Sequence, residues 1–138
     1  MTEEAPRRPT VLVVDDEEDV VRPLAFRLGV EGFNVLLEPD GELGYRTALA
    51  EKPDLILLDI MMPGIDGLEL CRVLKQNVET RRIPIVMLTA RTLMGDVERA
   101  FAVHADDYVA KPFDWPELLG KIRRALTDIE KPLPVRND

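Results

Sequence analysis

The stretch Asp54-Leu-Ile-Leu-Leu-Asp-Ile-Met-Met-Pro-Gly-Ile-Asp-Gly67 decides how this chain folds. Leu55 to Leu58 are four apolar residues in a row, without alternation. A short continuous run of that kind reads as a strand buried on both faces. Asp59 ends the run, and Pro63 and Gly64 turn the chain away from it. A carboxylate at a strand exit is either a local cap or a chemical group.

Similar runs stand on both sides. Val11 to Val14, Val35 to Leu37 and Ile85 to Leu88 read as strands, and Tyr108 to Ala110 as a weaker fifth. The segments between them carry helical spacing. Val20, Val21, Leu24, Ala25 and Leu28 share a face of Asp19–Glu31, although Pro23 removes a backbone donor and is expected to kink or delay that helix. Leu43, Thr47 and Ala48 mark a second helix, Leu68, Cys71 and Leu74 a third, and Val97, Ala100, Phe101 and His104 a fourth. Trp115, Leu118, Leu119, Ile122 and Leu126 mark the last. Strands alternating with helices make a (βα)₅ chain, and right-handed crossovers give an α/β fold with helices on both faces of a parallel sheet. The expected strand order is 2-1-3-4-5, the flavodoxin-like, doubly wound arrangement.

The chain has 138 residues, enough for one domain with its own core. Asp and Glu number 26 against 18 Lys and Arg, a net charge of −8. That balance argues against a nucleic-acid surface and suits small cations or basic partners. A single cysteine, Cys71, cannot form an internal disulfide. Residues 1–9 read as a flexible N-terminal segment without an apolar signal core, and no run approaches the length that spans a bilayer. A cytoplasmic protein without membrane contact is the expectation. Residues 10–127 form the expected domain, and 128–138, with Pro132 and Pro134, a tail or the start of a linker.

In such sheets ligands bind at the carboxyl ends of the strands, where strand order reverses. Asp15 and Asp16 end the first strand, Asp59 the third, Thr89 and the small Ala90 the fourth, and Lys111 and Pro112 the fifth. Three converging carboxylates call for a hard divalent cation such as Mg²⁺. A carboxylate nucleophile, a metal, a hydroxyl and an ammonium are the parts needed to move a phosphoryl group onto a carboxylate. Each residue alone has a plainer reading as cap, strand residue or solvated charge. Their joint placement on four strand ends favours the chemical one.

These segments resemble the receiver domain of bacterial two-component response regulators. The matching stretches are Val11–Glu17, Asp54–Gly67, Pro84–Arg91 and Ala105–Phe113. The resemblance implies that Asp59 accepts phosphate from a histidine kinase or phosphotransfer protein. It implies that Asp16, Asp59 and the backbone carbonyl of Met61 bind Mg²⁺ directly, that Asp15 acts largely through water, and that Mn²⁺ can substitute. Thr89 and Tyr108 are the implied switch pair, Ala90 and Lys111 line the phosphoryl site, and the bond before Pro112 is cis. The face built by the fourth helix, fifth strand and last helix is the implied output surface, for an effector or a phosphorylation-dependent homodimer. Arg91, His104 and Trp115 are its candidate residues. His104 stands where the family usually has Gly, so a positive φ is expected there.

Three other chemistries share parts of this residue set. A haloacid-dehalogenase-like phosphatase uses a similar set, but needs a second acid two residues after its nucleophile, where this chain has Met61. A flavodoxin-like cofactor binder needs phosphate-binding donors after the first strand, where this chain has Asp15 to Asp19, all acidic. A phosphate-independent pseudo-receiver is disfavoured because all five core positions match. The expectation is a regulatory phosphoacceptor, not an enzyme acting on other substrates.

Overall fold

The computed structural model describes residues 8–62, 64–89, 99 and 102–128. The elements are β1 (Thr10–Val14), α1 (Glu18–Val30), β2 (Asn34–Glu38), α2 (Gly41–Glu51), β3 (Leu55–Asp59), α3 (Gly67–Gln76), β4 (Ile85–Thr89), β5 (Asp107–Ala110) and α4 (Trp115–Asp128). All strand pairs are parallel, in the order β2-β1-β3-β4-β5. The fold is thus the expected one. Of the fourth helical pattern, Val97, Ala100 and Phe101 lie outside the described residues.

The continuous apolar runs become the three inner strands. Val11 to Val14, Leu55 to Leu58 and Ile85 to Leu88 are fully buried. Successive side chains point to opposite faces, so each run feeds two cores. Leu12, Val14, Ile56, Leu58, Ile85 and Met87 pack with Ala48 of α2 and Leu68, Leu70, Cys71 and Leu74 of α3. Val11, Val13, Leu55, Leu57, Val86 and Leu88 pack with Val21, Leu24 and Leu28 of α1 and Leu118 and Ile122 of α4. Edge strands β2 and β5 are only partly buried.

Helix starts are set locally. Asp40 Oδ1 accepts from the Leu43 N–H at 2.9 Å, and Asp66 Oδ1 from the Glu69 N–H at 2.8 Å, which caps α2 and α3. Pro23 does not delay α1, which begins at Glu18 and runs through it to Val30. The proline is exposed, so its ring lies on the solvent side and only one backbone donor is lost. Helix α1 also lacks a side-chain cap, because its N-cap Glu17 is used elsewhere.

Register brings the carboxyl ends together. Val14 pairs with Leu58, Asp59 with Leu88, and Thr89 with Ala110. The loops continue the pairing, with Ile60 N–H donating to Leu88 O at 3.0 Å and Lys111 N–H to Thr89 O at 2.6 Å. Helix α3 starts hard against the end of β3. A Cβ on Gly67 would lie 2.0 Å from the Asp59 carbonyl oxygen, and the Gly67 N–H donates to Ile60 O at 2.9 Å. Gly67→Ala should therefore destabilise the protein by about 2–3 kcal/mol in urea unfolding, at the upper end of overpacking. Gly29→Ala is the control, since Gly29 is helical and exposed with nothing near its missing Cβ; it should gain about 0.5–1 kcal/mol. Equal effects from the two changes would refute the close approach at Asp59.

Candidate phosphoacceptor site

The pocket at the strand ends is organised around one ammonium. Lys111 Nζ lies 2.8 Å from Asp15 Oδ2, 3.0 Å from Glu17 Oε1 and 3.4 Å from Asp59 Oδ2. Asp15 and Asp59 are buried. The Lys111–Pro112 peptide bond is cis. Asp15 Oδ1 accepts from the Glu17 N–H at 2.9 Å, and Asp59 Oδ1 from the Met61 N–H at 3.2 Å. Each aspartate thus turns the loop that follows it while presenting its second oxygen to the lysine.

Burying so much charge shifts the proton equilibria. Burial, then the neighbouring Asp15 carboxylate, push Asp59 up from 3.8 to about 6, against the pull of Lys111 and the Met61 N–H. Burial opposes the charge on Lys111, but its close contacts with the Asp15 and Glu17 carboxylates and the charge of Asp59 outweigh it and hold Lys111 above its ordinary value. Lys111 is therefore a fixed cation at neutral pH, while Asp59 stands close to titration.

The third carboxylate of the cluster is not the expected one. Asp15, Glu17 and Asp59 have oxygens within 4.8 Å of one another. Asp16, a direct ligand by the family resemblance, is exposed and stands outside that group. The reason is local. The Asp15 to Glu17 turn leaves Asp16 at its apex and brings Glu17, the α1 N-cap, round toward Lys111. Glu17 was missed because it reads as one more acid in Asp15-Asp16-Glu17-Glu18-Asp19.

The remaining candidates fall into place by element. Thr89 is buried at the end of β4, and Met61 is exposed in the loop after Asp59. Tyr108 is half-buried on β5, where it pairs in register with Met87 and packs on the α3-side core. Ala90 and Arg91 lie outside the described residues. His104 is exposed with φ of 68°, as expected where glycine is usual, but it precedes β5, at the opposite end of that strand from Lys111. Trp115 is partly buried at the start of α4. It packs on the α1-side core, with the Arg27 guanidinium 5.2 Å over its ring, because the apolar stripe of α4 faces α1. Cys71 is buried, and burial pushes its thiol up to about 12, so it is inert packing.

The donor set fits a hard cation. Asp15 Oδ2 and Asp59 Oδ2 are buried and make no aligned hydrogen bond among the described residues, only the charge contact with Lys111. Hard oxygen ligands of this kind suit Mg²⁺. The family model for the response regulator receiver domain matches residues 11–123. The chain belongs to that family. A curated relative, the phosphate regulon transcriptional regulatory protein PhoB of Rhizobium meliloti, is 45% identical over 121 residues, covering 86% of this chain and 52% of the relative. This receiver thus spans about half the length of the curated relatives it matches. Among solved structures, the receiver domain of sensor histidine kinase PA1611 from Pseudomonas aeruginosa, with magnesium coordinated in its active site cleft, has a TM-score of 0.82 at 32% identity, covering 88% of this chain and 99% of that one. The BeF3-activated receiver domain of Klebsiella pneumoniae RstA has a TM-score of 0.79 at 35% identity, covering 85% and 97%. No described helix of this receiver is long and apolar enough to cross a membrane.

The raised Asp59 value has a consequence for stability with a definite sign. Between about 3.8 and 6 the unfolded chain has released a proton that the folded chain keeps. Stability from this group is therefore lost as pH rises through that window and is level above it. In metal-free buffer, the gain in unfolding free energy from Asp59→Asn should grow by about 1–2 kcal/mol between pH 4 and pH 7. That lies below the full worth of two pKa units because solvent screens the pocket mouth. Denaturant titrations at the two pH values measure it; a constant difference would refute the shifted Asp59.

Proposed function

We propose that this receiver takes a phosphoryl group onto Asp59 in a Mg²⁺-dependent reaction, from a histidine kinase or a phosphotransfer protein. The observation that carries the reading is the buried Asp59 carboxylate, one oxygen of which has no aligned hydrogen bond among the described residues, beside Asp15 and Lys111. An Asp59 with a value near 6 is mostly ionised at neutral pH and so has a nucleophilic oxygen. An Asp59 oxygen bonds to phosphorus, the bond from phosphorus to the donor nitrogen breaks, and that nitrogen keeps the electron pair. Lys111 then has a phosphoryl oxygen to pair with in place of a carboxylate. Thr89, buried at the end of β4, has the hydroxyl to meet another.

By the resemblance to other receivers, Asp15, Asp16, Asp59 and the Met61 carbonyl are the residues that would hold the cation, with Glu17, which shares the carboxylate cluster, as the competing ligand. When bound, Mg²⁺ (or Mn²⁺) neutralises the carboxylates and offsets the charge of an approaching phosphoryl group. Asp16 and Glu17 can be separated by experiment. Asp16→Asn should weaken Mg²⁺ binding at least about tenfold by titration calorimetry, and Glu17→Gln should change it far less. The reverse order would transfer the ligand role to Glu17. Because protons compete for Asp59, the apparent Mg²⁺ affinity of the unaltered protein should climb between pH 5 and 6 and level above that.

Phosphorylation adds charge and acceptor oxygens beside Lys111 and Thr89. Tyr108, half-buried on the neighbouring strand, is the residue placed to follow Thr89 and carry the change outward. The face that reads it out then serves an effector protein, an effector domain or a second copy of the chain. The proposed domain is residues 10–127, with 128–138 as a tail or the start of a linker. The domain acts on its own aspartate rather than on a turned-over substrate.

Incubation with Mg²⁺ and a small phosphodonor should add about 80 Da, and Asp59→Asn should abolish the adduct in mass spectrometry. An adduct surviving that change, or none in the unaltered protein, would overturn the assignment. Lys111→Ala should still take up phosphate but lose the accompanying shift of Thr89 and Tyr108 resonances. Equal loss of both would remove the coupling role.

A further inference from the structure

Lys121 stands on α4, the helix that covers the α1-side core, yet its ammonium serves a residue of the opposite layer. Tyr108 packs on the α3-side core, while its neighbour Val109 packs on the α1 side. Strand β5 is the sheet edge, so Lys121 reaches round it. Its Nζ donates to the Tyr108 carbonyl at 2.7 Å and sits 4.9 Å from the centroid of the Tyr108 ring. Two carboxylates hold the ammonium there, Asp107 at 3.3 Å and Glu117 at 3.7 Å. The side chain is only 22% exposed, which strengthens a cation–π contact relative to one in open water.

We propose that Lys121 is a positioning residue for the switch: it clamps Tyr108 by ring and carbonyl in the setting that belongs to unmodified Asp59. The inference rests on Tyr108 being the residue that moves. The setting is identified by Lys111, whose Nζ is engaged with the Asp15, Glu17 and Asp59 carboxylates. A ring that leaves its place under Nζ forfeits the cation–π contact, whereas the backbone carbonyl bond can persist. The clamp therefore weights the equilibrium between the two ring settings, and a ligand of the phosphorylated form must work against that weight.

Two measurements test it. The first needs no phosphoryl chemistry. The chain has two tyrosines, Tyr45 and Tyr108. With ring-labelled tyrosine, Lys121→Met should shift or broaden the Tyr108 ring signals in metal-free protein and leave those of Tyr45 in place, while Lys121→Arg should stay near the unaltered spectrum. An unmoved Tyr108 signal overturns the clamp. The second uses Mg²⁺ and beryllofluoride, a tetrahedral phosphoryl mimic. Lys121→Met should tighten beryllofluoride binding about two- to fivefold, the range of an exposed-to-half-buried cation–π contact. In a Tyr108→Ala background the same change should have no effect. Unchanged or weaker binding, or an equal gain without the ring, overturns the proposal; Lys121→Gln gives the same readout if the Met variant does not fold. Loss of beryllofluoride binding by the unaltered protein would instead count against the Asp59 reading, with the tyrosine spectra still deciding the clamp.

Discussion

One ammonium makes the pocket of this receiver tenable. Asp15 and Asp59 are buried at the ends of two inner strands, where an unpaired carboxylate would cost several kcal/mol. Lys111 Nζ touches both, and Glu17 as well. The pairing is incomplete: among the described residues, Asp15 Oδ2 and Asp59 Oδ2 have no aligned hydrogen bond. The result is a site with residual negative charge, held together by the Lys111 ammonium.

The rest of the architecture keeps that arrangement in place. Three fully buried strands, β1, β3 and β4, form a floor with helices on both sides, so their ends cannot drift. Gly67 lets α3 begin against the Asp59 carbonyl, which fixes the loop carrying Met61. The Lys111 N–H is hydrogen-bonded to Thr89, so the cation and the hydroxyl share one backbone link. At the sheet edge, Lys121 ties Tyr108 to α4 across the thickness of the sheet. Asp59 thus stands at the end of a buried inner strand, while Tyr108 stands on a partly buried edge strand.

Much of this was legible in the residues. Strand runs such as Leu55–Leu58 are unambiguous because burial on both faces leaves no polar position, and right-handed crossovers then leave few topologies. The strand-end residues Asp15, Asp59, Thr89 and Lys111 could be named because carboxyl ends of parallel strands converge. Side-chain direction in loops could not be read. Asp16 and Glu17 are adjacent acids, and only the turn closed by Asp15 Oδ1 decides which one faces the lysine. Trp115 follows the stripe of Leu118, Leu119, Ile122 and Leu126, but only the fold shows that Arg27 of α1 lies over its ring. Pro23 looked disruptive, but its ring lies in solvent.

The sequence by itself determined the strand runs, the helical stripes, the order of the acidic and basic strand ends and the family that shares them. These depend on local pattern, periods of two and 3.6, and motifs a few residues long. Tertiary structure alone decided the partners of the charges. Lys111 meets Glu17 across 94 positions, and Lys121 meets Tyr108 across 13, round the edge of a sheet. Such contacts depend on the packing of whole layers, and no local pattern encodes which of several nearby acids or rings a long, flexible lysine will reach.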